Sequence, residues 1–124
     1  MNAASLHDAS AVELGALYRS GAASPVDALN AVLARIANWE PHLHATYALD
    51  ADAALAQASA SQARWQRGAP LGPLDGVPVT IKENIATRGV PMPLGTAASV
   101  LAPAERDAPP AQRLREAGDR KSVV

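Results

Sequence analysis

Residues 71–82 constrain this chain more than any other stretch. Gly72, Pro73, Gly76 and Pro78 crowd turn-forming residues together, and a β-branched run, Val77-Pro78-Val79-Thr80-Ile81-Lys82, overlaps and continues them. Gly frees φ and Pro fixes it, so no helix continues through this point. Val, Thr and Ile favour a pleated backbone, so 77–82 reads as a strand. Pro78 belongs near its start, where a missing N–H is tolerated.

Upstream, Met1 to Ala9 is a short polar lead. Ser10 and Glu13 fit the Ser-x-x-Glu capping box, in which each side chain satisfies the other's free backbone N–H. Val12, Leu14, Leu17 and Tyr18 follow at mainly helical spacing, with Gly21 as a stop. Ser24-Pro25 reads as N-cap plus Pro at the first helical position, and Asp27 completes a second box. Val26, Leu29, Leu33 and Ile36 form one apolar stripe, and Pro41 is expected to end that helix. Two adjacent capped helices predict a helical hairpin. Ala45-Thr46-Tyr47-Ala48-Leu49 is a short strand candidate. Asp50 and Asp52 then open an Ala-rich helix to about Arg67. Downstream, residues 87–96 are Pro/Gly-rich without periodicity and read as an ordered loop. Asp107 is expected to cap a last helix containing Leu114, closed by Gly118. The order helix, helix, strand, helix, strand, loop, helix predicts an α/β layer with an incomplete sheet.

Composition bears on the core. Alanine is the commonest residue, Phe is absent and aromatics are 3%. Ala forms helices readily but buries little area, at roughly 25 cal/mol per Å². A core built this way is thin, and the stretch is expected to pack against more protein. With 124 residues, 48% of them apolar and 19% charged, the chain is globular and long enough for one small domain. Its 11 basic and 12 acidic residues leave a net charge of −1. That balance gives no footprint for nucleic acid or an anionic membrane. No cysteine is present, which excludes a disulfide framework, a thiolate zinc site and a cysteine nucleophile. No run approaches the roughly 18 apolar residues of a membrane span. The N-terminus lacks the basic start and apolar stretch of a secretory signal, so the expected compartment is the cytoplasm.

Lys82 is the residue with most chemical interest. A lysine held in apolar surroundings at a strand end can give up and return a proton near neutral pH. The alternative is a surface lysine. His42 and His44 would share a face of a strand, but two ligands are half a metal site, and solvated loop histidines are the plainer reading. Asp50 and Asp52 fit helix caps better than calcium ligands, since no EF-hand pattern follows. Ser59 and Ser61 lie on what reads as a polar helix face. No Gly-x-Ser-x-Gly, phosphate loop or dinucleotide fingerprint occurs.

The segment Gly72-Pro73-Leu74-Asp75-Gly76-Val77-Pro78-Val79-Thr80-Ile81-Lys82-Glu83-Asn84-Ile85 closely resembles the lysine segment of the amidase signature family. That family's pattern is Gly-Pro-Leu-x-Gly-(Ile/Val)-Pro-x-x-(Ile/Val)-Lys-Asp-Asn-(Ile/Phe). Thr87-x-Gly89-x-Pro91 and Gly95-Thr96 resemble its next stretch, Asp107 to Gly118 its next helix, and the two N-terminal helices its opening. Glu83 stands for the usual Asp, Met92 and Leu94 stand near the usual Thr-Thr pair, and Thr96 replaces Ser. These departures bear on substrate preference more than on reaction type. The resemblance implies a mixed-sheet α/β fold of which residues 1–118 are the N-terminal part. It implies hydrolysis of a small-molecule amide by a Ser–cis-Ser–Lys triad, without cofactor or metal. Of that triad only Lys82 maps onto this chain, and both serines are expected downstream. The 124-residue chain is therefore expected to be inactive alone.

The resemblance breaks after Gly118. Asp119-Arg120-Lys121-Ser122-Val123-Val124 is what GAT CGG AAG AGC GTC GTG encodes, a string found in a common sequencing adapter. Residues 119–124 are therefore expected to be a non-native tail. Two other functions stay open: the glutamine-hydrolysing subunit of a tRNA-dependent amidotransferase, and a non-catalytic helical binding module. The sequence leaves the oligomeric state open.

Overall fold

The computed structural model describes residues 3–118 and 120–123. The polar lead is a 3₁₀ turn, Ala3–Asp8, which buries Leu6. Helix α1 spans Ala11–Ser20, and both halves of the Ser10/Glu13 box form. Gly21 ends it at φ 72, where a residue without Cβ carries no steric penalty. Helix α2 spans Pro25–Leu43 and opens on the complete Ser24/Asp27 box.

Pro41 does not end α2; it lies inside the last turn. Proline forfeits only its own N–H there. The turn is closed beyond it by His44, whose N–H donates to the Glu40 carbonyl at 2.9 Å. The Glu40 carboxylate then accepts the Thr46 N–H. Residues 45–49 form no strand beyond a single bridge at Ala48, because the short segment runs from the cap of α2 to the cap of α3. Asp50 accepts the Ala53 N–H at 3.0 Å and starts α3, Ala51–Gln66.

Strand β1 is Pro78–Ile81. It pairs in parallel with β2, Arg120–Val123, in the register Pro78–Arg120 to Ile81–Val123. Such pairing uses main-chain groups that any non-proline residue supplies. Asp119 and Val124, the ends of the expected non-native tail, lie outside the described residues. Between the strands run an irregular loop and α4, Pro109–Glu116. Its N-cap is Ala108, not Asp107. Asp107 instead accepts from the Arg88 N–H at 2.8 Å and takes the Arg115 guanidinium bidentately, at 2.7 and 2.9 Å. The tertiary partners outcompete the local cap.

Two apolar clusters form the core. Leu6, Leu14, Tyr18, Ala28 and Val77 make one, with Trp65 and Leu17 against it. Leu29, Ala54 and Ala58 make the other, with Val26, Leu33 and Leu55. Alanines line much of both, while Val12, Leu43, Leu94, Val100 and Leu101 stay well exposed. The close approach of small residues is strict at Gly76, which sits at φ 86. A Cβ there would lie 2.5 Å from Ser61 Oγ and 2.7 Å from Pro25 Cγ. Gly76→Ala is expected to cost about 2–4 kcal/mol from left-handed strain plus overpacking. Urea unfolding would show it as a lower midpoint at unchanged slope; an unchanged midpoint would contradict this packing.

Candidate active site

Ile81, the last residue of β1, is buried and Lys82, directly after it, is exposed. The chain turns immediately after it, with the Ile85 N–H donating to the Lys82 carbonyl at 2.9 Å. The lysine lies on an open pocket of about 600 Å³ lined by Ala45, Tyr47, Thr80, Lys82, Glu83, Pro93 and Gly95. Its ammonium makes no hydrogen bond or ion pair among the described residues. The expectation of apolar surroundings is thus met on one side only. Ala45, Tyr47 and Pro93 give an apolar wall, and the opposite side faces solvent.

Three side chains hold that wall. The Glu83 carboxylate accepts the Leu94 N–H at 2.9 Å. The Tyr47 hydroxyl donates to the Pro91 carbonyl. Ser99 Oγ donates to the Pro93 carbonyl at 2.7 Å. Burial, then the nearby Glu83 charge, pushes the Tyr47 hydroxyl's pKa up, so it stays a donor at neutral pH. Farther along, Arg88 bridges Ala104 and Pro91 bridges Pro103. The 87–96 segment is therefore an ordered loop despite lacking periodicity.

Asp75 fixes the approach to β1. It is fully buried between the end of α3 and the turn at 71–76. Arg64 Nε and Nη2 donate to its two oxygens at 2.7 and 2.6 Å, and the Leu71 N–H adds a third bond at 3.0 Å. Trp65 Nε1 donates to the Asp75 carbonyl, and Tyr18 Oη to that of Gly76. The Gly76 N–H reaches Gly118 O at 3.0 Å, closing the base of β1 against the end of α4. Burial alone would raise the Asp75 pKa. Hydrogen bonds from Arg64 and Leu71, the nearby Ser61 hydroxyl and the Arg64 charge outweigh it and hold the carboxyl below its ordinary value. The Ser61 hydroxyl is off ideal hydrogen-bond geometry for any partner yet near enough to favour that charge.

The other sequence candidates fall elsewhere. His42 is in the last turn of α2 and His44 is its cap at φ 48, so the two do not share a strand face. Among the described residues no three His, Asp or Glu side chains gather as a metal site. Asp50 is a helix cap. Ser61 is buried rather than on a polar face, and the Ser59 hydroxyl donates to the Leu55 carbonyl of its own helix. Sequence reasoning misses Asp75, Arg64 and Tyr47. Two opposite charges flanking the Gly/Pro turn before the strand are the available signal for the first two.

Comparison with known proteins places this geometry. The family model described as amidase matches residues 27–119. A glutamyl-tRNA(Gln) amidotransferase subunit from Thermobifida fusca is 45% identical over 112 residues, covering 88% of this chain and 22% of that protein. The chain spans about a fifth of the length of the curated relatives it matches. Among solved structures, one described as the crystal structure of an amidase superposes with TM-score 0.80 at 31% identity, over 93% of this chain and 27% of that one. The native peptide amidase from Stenotrophomonas maltophilia superposes with TM-score 0.81 at 28% identity, over 94% and 24% respectively.

Proposed function

The chain belongs to the amidase family, and we propose that residues 1–118 are the N-terminal, lysine-bearing part of a serine-dependent amide hydrolase. The observation that carries this is Lys82: it directly follows β1 beside a pocket, inside the matched segment, on a backbone braced by Asp75. A serine attacks an amide only when a base takes its proton. In the proposed triad a serine oxygen forms a bond to the amide carbonyl carbon. Its proton passes through the second serine to a neutral Lys82 and on to the departing nitrogen as the C–N bond breaks. Water then releases the acid. Backbone N–H donors around the carbonyl oxygen supply much of the rate.

A lysine serves as such a base when burial, or a neighbouring positive charge, disfavours its ammonium form. The serine-bearing remainder of the enzyme would supply the missing side of the Lys82 pocket. The 124-residue chain alone is then inert, and cytoplasmic location follows as part of the same proposal. On this reading residues 119–124 are foreign. The experiment is to sequence the source DNA outward from codon 118. We expect an open frame continuing into a Gly/Ser-rich loop with two serines. Genomic DNA that encodes Asp119 to Val124 and then stops would overturn the reading.

A second reading is the glutamine-hydrolysing subunit of a tRNA-dependent amidotransferase. It is favoured by one observation: the curated relatives at 38–45% identity carry the name of a glutamyl-tRNA(Gln) amidotransferase subunit. Both readings use Lys82 in the same way. They differ in where the released nitrogen goes.

A further inference from the structure

We infer that Glu83 is a positioning residue for the Lys82 pocket, holding the Pro93–Gly95 turn in place by accepting the Leu94 N–H. The functional meaning rests on Lys82 being the reacting lysine; the positioning itself does not. Leu94 stands at φ 53, a left-handed backbone that a residue with a Cβ disfavours. Its side chain is 60% exposed, so burial does little to offset that cost. The other bonds of the turn, from Thr96 N and Ser99 Oγ, both end on the Pro93 carbonyl and leave Leu94 to Glu83. The Glu83 bond, at 2.9 Å, crosses eleven positions of sequence. It is charge-assisted, which is the stronger kind of hydrogen bond.

The consequence is geometric. Pro93 and Gly95, on either side of Leu94, line the pocket, as do Tyr47 and Lys82. Tyr47 ties the same segment two residues earlier, at Pro91. Because Glu83 directly follows Lys82, one short piece of backbone places both the lysine and the turn beside it. A side chain one methylene shorter would not keep this bond without moving the turn. Residue 83 thereby holds the turn that carries Pro93 and Gly95 against the pocket.

The test is amide hydrogen exchange by NMR on the 124-residue chain. Glu83→Met keeps the bulk and removes the acceptor; it should speed Leu94 exchange about tenfold, the loss expected for a hydrogen bond to a charged group. The β1 amides and the melting midpoint should be unchanged. Glu83→Gln keeps a neutral carbonyl acceptor at the same reach and should restore part of the protection, which a general packing role would not predict. Leu94 exchange in Glu83→Met equal to wild type would overturn the inference, as would a Gln variant no better protected than Met. Neither readout depends on hydrolysis, so a failure of the Lys82 reading would leave this result standing.

Discussion

Asp75→Ala is expected to unfold this domain at neutral pH. The substitution removes a carboxylate with no solvent exposure and leaves the Arg64 guanidinium, itself 14% exposed, without its partner. Breaking one side of a buried ion pair costs about 3–5 kcal/mol, because the remaining charge is uncompensated. Small domains have only about 5–15 kcal/mol in total, and a core lined by Ala28, Ala54, Ala58 and Ala111 belongs at the low end. The Leu71 N–H would also lose its acceptor. Far-UV circular dichroism in urea is the measurement; a midpoint within experimental error of wild type would contradict the role given to Asp75. The pH dependence has a defined sign. The folded carboxyl titrates below its unfolded value of about 3.9, so its contribution is complete above that value. It is lost as pH falls through the lowered folded value. Acid should therefore destabilise the wild type more than Asp75→Asn, which has no proton to take up.

Local signals in the sequence are sufficient where the structure is local. Both capping boxes, the Gly21 stop and the Asp50 cap need only a few neighbouring residues, and each forms where the sequence places it. The readings that fail are those decided across the chain. Asp107 has the chemistry of a cap, but Arg88 and Arg115 offer it more than the end of α4 does. Residues 45–49 read as a short strand, yet only Ala48 makes a β-bridge and no ladder develops around it. Asp75 occupies a position that the lysine-segment pattern leaves free, so only the fold shows it meeting Arg64 eleven residues upstream. Ser61 reads as polar-facing because α3 is amphipathic only weakly, and its small apolar residues give little indication of which side is covered. The position of Lys82 at a strand end is legible, and so is the irregular but ordered loop after it. The pocket between them is not, since Tyr47 and the 91–95 segment are far apart in sequence and meet through a hydrogen bond from the Tyr47 hydroxyl to the Pro91 carbonyl.

Lys82 carries the central claim, and its removal is expected to have the largest effect on activity. A positioned acid–base group contributes about 10²- to 10⁴-fold in rate. The loss should appear without loss of stability, because the Lys82 side chain makes no bond among the described residues, and the bond its carbonyl accepts from Ile85 survives the substitution. Arginine should not substitute, since a guanidinium does not give up its proton in proteins. The most direct measurement replaces the matching segment of the Stenotrophomonas maltophilia peptide amidase with residues 1–118 and follows amide hydrolysis. The graft with Lys82 is expected to turn over, and Lys82→Ala is expected to lower the rate by about 10²- to 10⁴-fold at an unchanged melting temperature. A folded Lys82→Ala graft as fast as its parent, or a folded graft inert with Lys82 in place, would contradict the account.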